Sequence, residues 1–151
     1  MSNKYFKELG MERVSLALES YLEAIADIQA EDGAVSPSVL AERMGCKRSS
    51  VTSALQRLAE NGLINYHSYR PVTLSPKGKE VIESLNKYHN ILQNFFQNVL
   101  GFNEEFAQKE ACKLEHQVSP EIIERIDAYV KFLKEPEAFK KTLKKKRGAK
   151  A

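Results

Sequence analysis

Hydrophobic positions recur at helical spacing through most of the chain and switch to alternation only once. Over 14–30, Leu18, Tyr21, Leu22, Ile25 and Ile28 make one apolar face, and Glu19, Glu23 and Asp27 make a second, acidic row. Glu31-Asp32-Gly33 closes that helix. Ser36-Pro37 reads as a cap and first helical residue of a short helix ending at Met44, with Val39, Leu40 and Met44 inward and Gly45 as the stop. A third helix is predicted from Lys47 or Arg48 to Asn61, with Val51, Leu55 and Leu58 as its apolar row and Gly62 just beyond. The period then changes. Residues 63–66 and 71–74 read as two short strands around His67-Ser68-Tyr69-Arg70. Ser75-Pro76 opens a long helix to about Leu100, with a broad stripe through Val81, Leu85, Leu92 and Val99. Asn103 caps a helix to about His116. Ser119-Pro120 starts a last one to about Leu133, with Ile122, Ile123, Ile126, Val130 and Phe132 as its apolar residues.

Composition narrows the class. The chain has 151 residues, 42% hydrophobic and 28% charged, which is ordinary for a globular protein and rules out wholesale disorder. Two cysteines 66 positions apart make no disulfide framework, so a reducing, cytoplasmic setting is expected. No apolar run approaches the roughly 18 residues of a membrane span, and the N-terminal stretch is too polar for a secretory signal. The net charge of +3 conceals a segregated pattern. Residues 1–45 carry 4 basic and 8 acidic groups, 46–79 carry 6 and 1, 80–139 carry 6 and 11, and 140–151 carry 7 and none. A basic block between acidic flanks seeks a polyanion.

That block coincides with the third helix and the ribbon. Helix, short helix, glycine turn, polar-faced helix and two-stranded ribbon is the winged helix-turn-helix order. A reading helix needs one apolar side for its own core and one small, cationic side for a groove about 12 Å wide. Lys47, Arg48, Ser49, Ser50, Thr52, Ser53 and Gln56 supply the second side. Arg57 lies further along, suited to phosphate, and His67, Tyr69 and Arg70 lie at the ribbon tip. Lys77 and Lys79, at the start of the next helix, are further phosphate candidates. The same pattern also fits a helical hairpin with an ordinary solvated face.

A second constellation stands behind it. Cys112, Glu115 and His116 are spaced i, i+3 and i+4 and so share a helix face. Thiolate, carboxylate and imidazole are ligand types that one transition-metal ion accepts together. His89 lies on the preceding long helix and Glu23 on the acidic row of the first. On the motif alone, C-x-x-E-H also fits a buried cysteine beside surface polar residues. Cys46, at the turn before the third helix, reads as a small buried residue and His67 as a ribbon residue. No catalytic residues are expected: neighbours on one helix rarely make a nucleophile–base pair, and no glycine-rich phosphate loop is present.

From Glu19 to about Leu133 the chain resembles the diphtheria toxin repressor and manganese transport regulator family of metal-dependent repressors. SYLEAI, LAERMGCKRSSVTSALQRLAENGLI, VTLSPKGKEV, the histidine of KYHNILQNF and EACKLEHQVSPEIIERI carry the resemblance. It implies a mainly α protein. A winged helix-turn-helix DNA-binding domain over 1–75 would precede an all-helical dimerisation and metal-binding domain over 76–139 and a basic flexible tail over 140–151. It implies Glu23, His89, Cys112, Glu115 and His116 as ligands of Fe(II) or Mn(II). It also implies a homodimer on a palindromic double-stranded DNA operator, repressing metal-uptake genes. Two departures stand out. Ser20 occupies a first-helix position where the family has Asp or Met, and a hydroxyl is a weak ligand, so Glu19, Glu23 or water would take its place. Gln93 and Gln108 stand where the iron branch has ionisable ancillary ligands, which argues against a second site of that type. The alternative is a winged-helix regulator answering to a non-metal effector. More distant rivals are an enzyme and a protein–protein adaptor.

Overall fold

A computed structural model describes residues 15–133 and residue Lys141. The predicted basic tail therefore lies outside the described residues apart from Lys141, as does the stretch 1–14. Among the described residues there are six α-helices, one π-helical turn and a two-stranded sheet. The chain divides into two units, between Ser84 and Leu85.

The first unit begins with α1 (Leu16–Asp32), whose N-cap Ser15 accepts the Leu18 N–H and whose C-cap Gly33 sits at φ 72°. Helix α2 (Pro37–Met44) starts at Ser36, which accepts the Val39 N–H, and ends at Gly45 with φ 61°. That left-handed residue turns the chain sharply into α3 (Arg48–Glu60) and costs little in glycine. Both S-P and glycine signals thus act where the sequence places them. α1 packs on α2, α3 and the ribbon. Leu22, Ile25 and Ile28 of α1, Leu40 of α2, and Val51, Leu55 and Leu58 of α3 are fully buried. Each large aliphatic side chain so buried contributes about 1.5–3 kcal/mol, enough for the apolar row of α3 to fix which side of it faces outward. Val39 departs from the expectation: at 38% exposure it lies outside the core, because an eight-residue helix seats only Leu40 fully.

The ribbon is shorter than predicted. β1 (Ile64–Asn65) and β2 (Thr73–Leu74) pair antiparallel, with Ile64 opposite Leu74 and Asn65 opposite Thr73. Its base is widened by a bridge between Val35 and Val72 and by the Leu74 N–H bonded to Gln29 Oε1 at 3.1 Å. At the tip the Arg70 N–H donates to the His67 carbonyl at 3.3 Å, closing a turn with Tyr69 at φ 62°. Tyr69 is the one non-glycine residue at positive φ among the described residues, and its side chain is fully exposed.

Ser75 caps α4 (Pro76–Asn94): its hydroxyl oxygen accepts the Gly78 N–H at 3.0 Å, and its O–H donates to the Gly62 carbonyl at 2.6 Å. A Cβ on Gly78 would lie 2.0 Å from the Leu63 carbonyl oxygen, so only glycine fits there. α4 does not run unbroken to Leu100 as predicted. It gives way at Phe95–Val99 to a π-helical turn, closed by the Leu100 N–H on the Phe95 carbonyl at 3.0 Å.

The second unit contains the end of α4, α5 (Glu104–Leu114) and α6 (Pro120–Phe132). Asn103 caps α5 through its Oδ1, which accepts the Phe106 N–H at 2.8 Å. Tyr88 and Leu92 of α4, Ala111 of α5 and Ile123 of α6 form its core, flanked by Ile91, Phe96, Leu114, Val118 and Ile126. Of the apolar residues of α6, Ile123 is fully buried, whereas Ile122 and Phe132 are exposed at 53% and 76%.

Candidate metal centre and DNA-reading face

The second unit brings together three of the predicted ligands. His89 Nδ1 lies 2.7 Å from Glu115 Oε2 and 3.7 Å from Cys112 Sγ. One donor atom from each of the three lies within 4.8 Å of the others. α4 presents His89 and the end of α5 presents the other two. Helix α5 stops at Leu114, yet Glu115 keeps helical dihedrals and bonds back to the Ala111 carbonyl, so the i, i+3 relation to Cys112 survives the helix end. His116 follows, with Nε2 3.3 Å from Glu115 Oε1.

The burial order reverses the plainer expectation. Cys112 is exposed, whereas Glu115 is only 6% exposed. Burial pushes the Glu115 pKa up, but hydrogen bonds from His116 and His89, and their charge, outweigh it and hold the carboxyl below the usual glutamate range. An ionised, buried carboxylate with an imidazole on each side and a thiol nearby is a donor set for a divalent transition metal. Glu23 lies half-buried on α1, in the first unit. Glu19, placed by the sequence on the same acidic row, is buried at 3% exposure, and the Ser20 hydroxyl donates to the Leu16 carbonyl at 3.2 Å.

One residue that the sequence marks only for its lack of charge also reaches the site. Gln93, one turn beyond His89 on α4, has Oε1 3.2 Å from His89 Nε2. The i, i+4 spacing was the available signal.

The first unit turns the cationic side of α3 outward. Lys47, Arg48, Ser49, Ser50, Ser53, Gln56 and Arg57 are exposed, while Val51, Ala54, Leu55 and Leu58 are buried. Among the described residues no side-chain hydrogen bond caps this helix; the Ser50 N–H donates to the Lys47 carbonyl at 3.0 Å, and the amides of Arg48 and Ser49 precede it in the first turn. Ser49, Ser50, Ser53 and Arg57 line a cavity of about 480 Å³ with Ser15 and Tyr21 of the first helix. Thr52 is half-buried and its hydroxyl donates to the Arg48 carbonyl at 3.0 Å, so that proton is spent inside the helix. Lys77 likewise donates to the Asn61 carbonyl at 3.4 Å, tying α4 to the end of α3. Arg70 is exposed at the ribbon tip beside His67 and Tyr69. Cys46 is half-buried and hydrogen-bonded to the Tyr21 hydroxyl at 3.3 Å. That bond, with burial second, raises the Tyr21 pKa.

Comparison with known proteins agrees over both units. The family described as "Iron dependent repressor, N-terminal DNA binding domain" matches residues 14–72. "Iron dependent repressor, metal binding and dimerisation domain" matches residues 75–140. An uncharacterized HTH-type transcriptional regulator of Methanocaldococcus jannaschii is 34% identical over 123 residues, 81% of this chain and 98% of its own length. The HTH-type transcriptional regulator MntR of Bacillus subtilis is 33% identical over 128 residues, 85% of this chain and 89% of its own. The solved structure of a manganese-dependent transcriptional repressor in complex with manganese is 33% identical with a TM-score of 0.63, covering 77% of this chain and 53% of the solved one. The chain thus spans about half of that longer solved protein. With a reading head in front, a metal-binding and dimerisation domain behind and relatives matched over nearly their full length, the chain belongs to the iron-dependent repressor family of metal-dependent, DNA-binding transcriptional regulators.

Proposed function

We propose that the chain acts in the cytoplasm as a homodimeric repressor whose grip on a palindromic operator depends on a divalent metal, and that its targets are metal-uptake genes. Residues 1–75 are the reading domain, 76–139 the metal-binding and dimerisation domain, and 140–151 a basic tail. The observation that carries this reading is the convergence of His89, Cys112 and Glu115 within 4.8 Å, in a chain whose α3 turns a cationic face outward. His116 contributes beside Glu115, and Glu23 is a further donor on the strength of the family resemblance.

The bound ion would supply positive charge that lets an imidazole, a thiolate and a carboxylate stay together. The chain's own residues do the rest. Cys112 and Glu115 bring two negative charges, and His89 orients the site from the facing helix. Soft thiolate favours Fe(II) over Mn(II), and both suit the remaining donors. On the DNA side, Ser49, Ser50 and Ser53 are short enough to let the backbone approach base edges, and the longer Gln56 amide can reach them. Lys47, Arg48, Arg57 and Arg70 meet phosphate, Thr52 adds its methyl group, and His67 and Tyr69 extend the contact at the ribbon tip. Two reading heads on one palindrome must stand about one DNA turn apart, roughly 34–36 Å, which is the quantity a metal-sensing dimer has to set.

Metal and operator affinities must couple reciprocally. Calorimetric titration of Fe(II) or Mn(II) is expected to show tighter binding when operator is present, by the factor with which metal tightens operator binding. Equal metal affinities in the two titrations would overturn the reading. Replacing Cys112→Ala together with His116→Ala is expected to abolish metal-dependent gel shifts while the helical circular dichroism stays unchanged. An operator complex equally tight in excess chelator would point instead to a winged-helix regulator of another effector.

A further inference from the structure

A neutral histidine offers a metal one nitrogen and keeps a proton on the other. Which nitrogen it offers depends on where the ring is held, and His89 is held from both edges. Its Nδ1 faces Glu115 at 2.7 Å and Cys112 at 3.7 Å, and its Nε2 faces Gln93 Oε1 at 3.2 Å. The side chain is 19% exposed, so an N–H on the far edge needs a protein acceptor more than it would in water.

We propose that Gln93 is a positioning residue of the metal site, its amide oxygen accepting the Nε2 proton of His89 so that Nδ1 is the nitrogen offered alongside Cys112 Sγ and Glu115 Oε2. The proposal rests on the metal-sensing reading above. Three features argue for it. The i, i+4 spacing on α4 puts Gln93 over the face that bears His89, and the two side chains meet along one helix. The partner is neutral: Cys112 as thiolate and Glu115 as carboxylate bring two negative charges, which balance a divalent ion, and an amide adds none. Finally, an amide carries a donor as well as an acceptor. In the metal-free chain the Glu115 carboxylate calls for a proton on Nδ1, and Gln93 can then turn its NH₂ to the bare Nε2. A carboxylate at this position could serve only one of those two states.

The test uses the full-length chain with Zn(II) as a diamagnetic probe and Co(II) as a coloured one. Long-range ¹⁵N NMR on the zinc-loaded protein is expected to show His89 protonated at Nε2 and metal-bound at Nδ1; the reverse assignment overturns the proposal. Gln93→Leu is expected to weaken Co(II) binding by about 10–100-fold, the usual effect of removing a partner that orients a ligand. Gln93→Glu, which keeps an acceptor, is expected to restore affinity to within about tenfold of the parent. Gln93→Leu binding Co(II) as tightly as the parent overturns the role of Gln93 and leaves the metal site standing. If Gln93→Leu proves unstable, the zinc-loaded spectrum of the unmodified chain still decides. Absence of thiolate-to-cobalt absorption in the parent protein would bring down the metal site and this proposal together.

Discussion

The two units close their cores to different degrees. In the first, three helices and a ribbon wall in Leu22, Ile25, Ile28, Val35, Leu40, Val51, Leu55, Leu58 and Leu63, all inaccessible to solvent. In the second, the core is Tyr88, Leu92, Ala111 and Ile123, and the same helices leave Phe106, Ile122, Tyr129 and Phe132 at 43–76% exposure. The first unit also exposes Leu16, Val39 and Tyr69, but these stand on α1, α2 and the ribbon tip, whereas three of the second unit's four stand on α6 alone. The difference teaches a division of labour. The reading unit encloses its core, whereas the unit matched as a dimerisation domain keeps apolar surface along one helix, which fits the proposed second copy.

The comparison can be broken most severely at that surface. Ile122→Asp combined with Tyr129→Asp is expected to leave a monomer in sedimentation equilibrium and to cut operator affinity by about 100-fold or more, because both heads no longer bind as one ligand. A dimer of unchanged affinity would show that this surface serves something else. Next in size, Leu55→Ala is expected to cost the first unit about 2–5 kcal/mol in denaturant unfolding. The same experiment on Phe132→Ala in dilute protein should change little, since that ring is already largely in solvent. At the ribbon tip the sign turns. Tyr69 holds a left-handed conformation that strains a bulky side chain, so Tyr69→Gly is expected to stabilise the first unit by about 1 kcal/mol, seen as a melting temperature higher by a few degrees. Operator affinity should fall in the same variant. The smallest effect concerns Glu31, whose hydrogen bond and ion pair with Arg43 hold its pKa below the ordinary value. A depressed carboxyl stabilises the fold above its unfolded pKa, about 4.3. The contribution disappears as pH falls through the lower, folded value. A slight acid-side loss of stability, absent in Glu31→Gln, is expected in pH-dependent melts.

Much of the scaffold was legible because its signals are local. Ser36-Pro37 and Ser119-Pro120 start helices, and Gly33 and Gly45 stop them, through dihedral preferences that need no distant partner. The outward face of α3 was legible for a related reason: Val51, Leu55 and Leu58 recur at one helical spacing and so define its opposite. What was not legible depends on neighbours across space. Val39 and Ile122 are apolar at helical spacing but meet nothing large enough to bury them, and the π-turn after Asn94 has no residue signature of its own. At the site, spacing grouped Cys112 with Glu115. Only the facing helix could reveal that Glu115 is the buried member and Cys112 the open one, whereas the contact of Gln93 with His89 follows from i, i+4 spacing along α4 itself.

Gly78 has a mechanical consequence. With the Leu63 carbonyl oxygen where a methyl group would need to be, the opening turn of α4 and the root of the ribbon meet backbone to backbone, with no side chain between them. Any larger residue at position 78 would have to wedge that contact apart and carry the ribbon root with it.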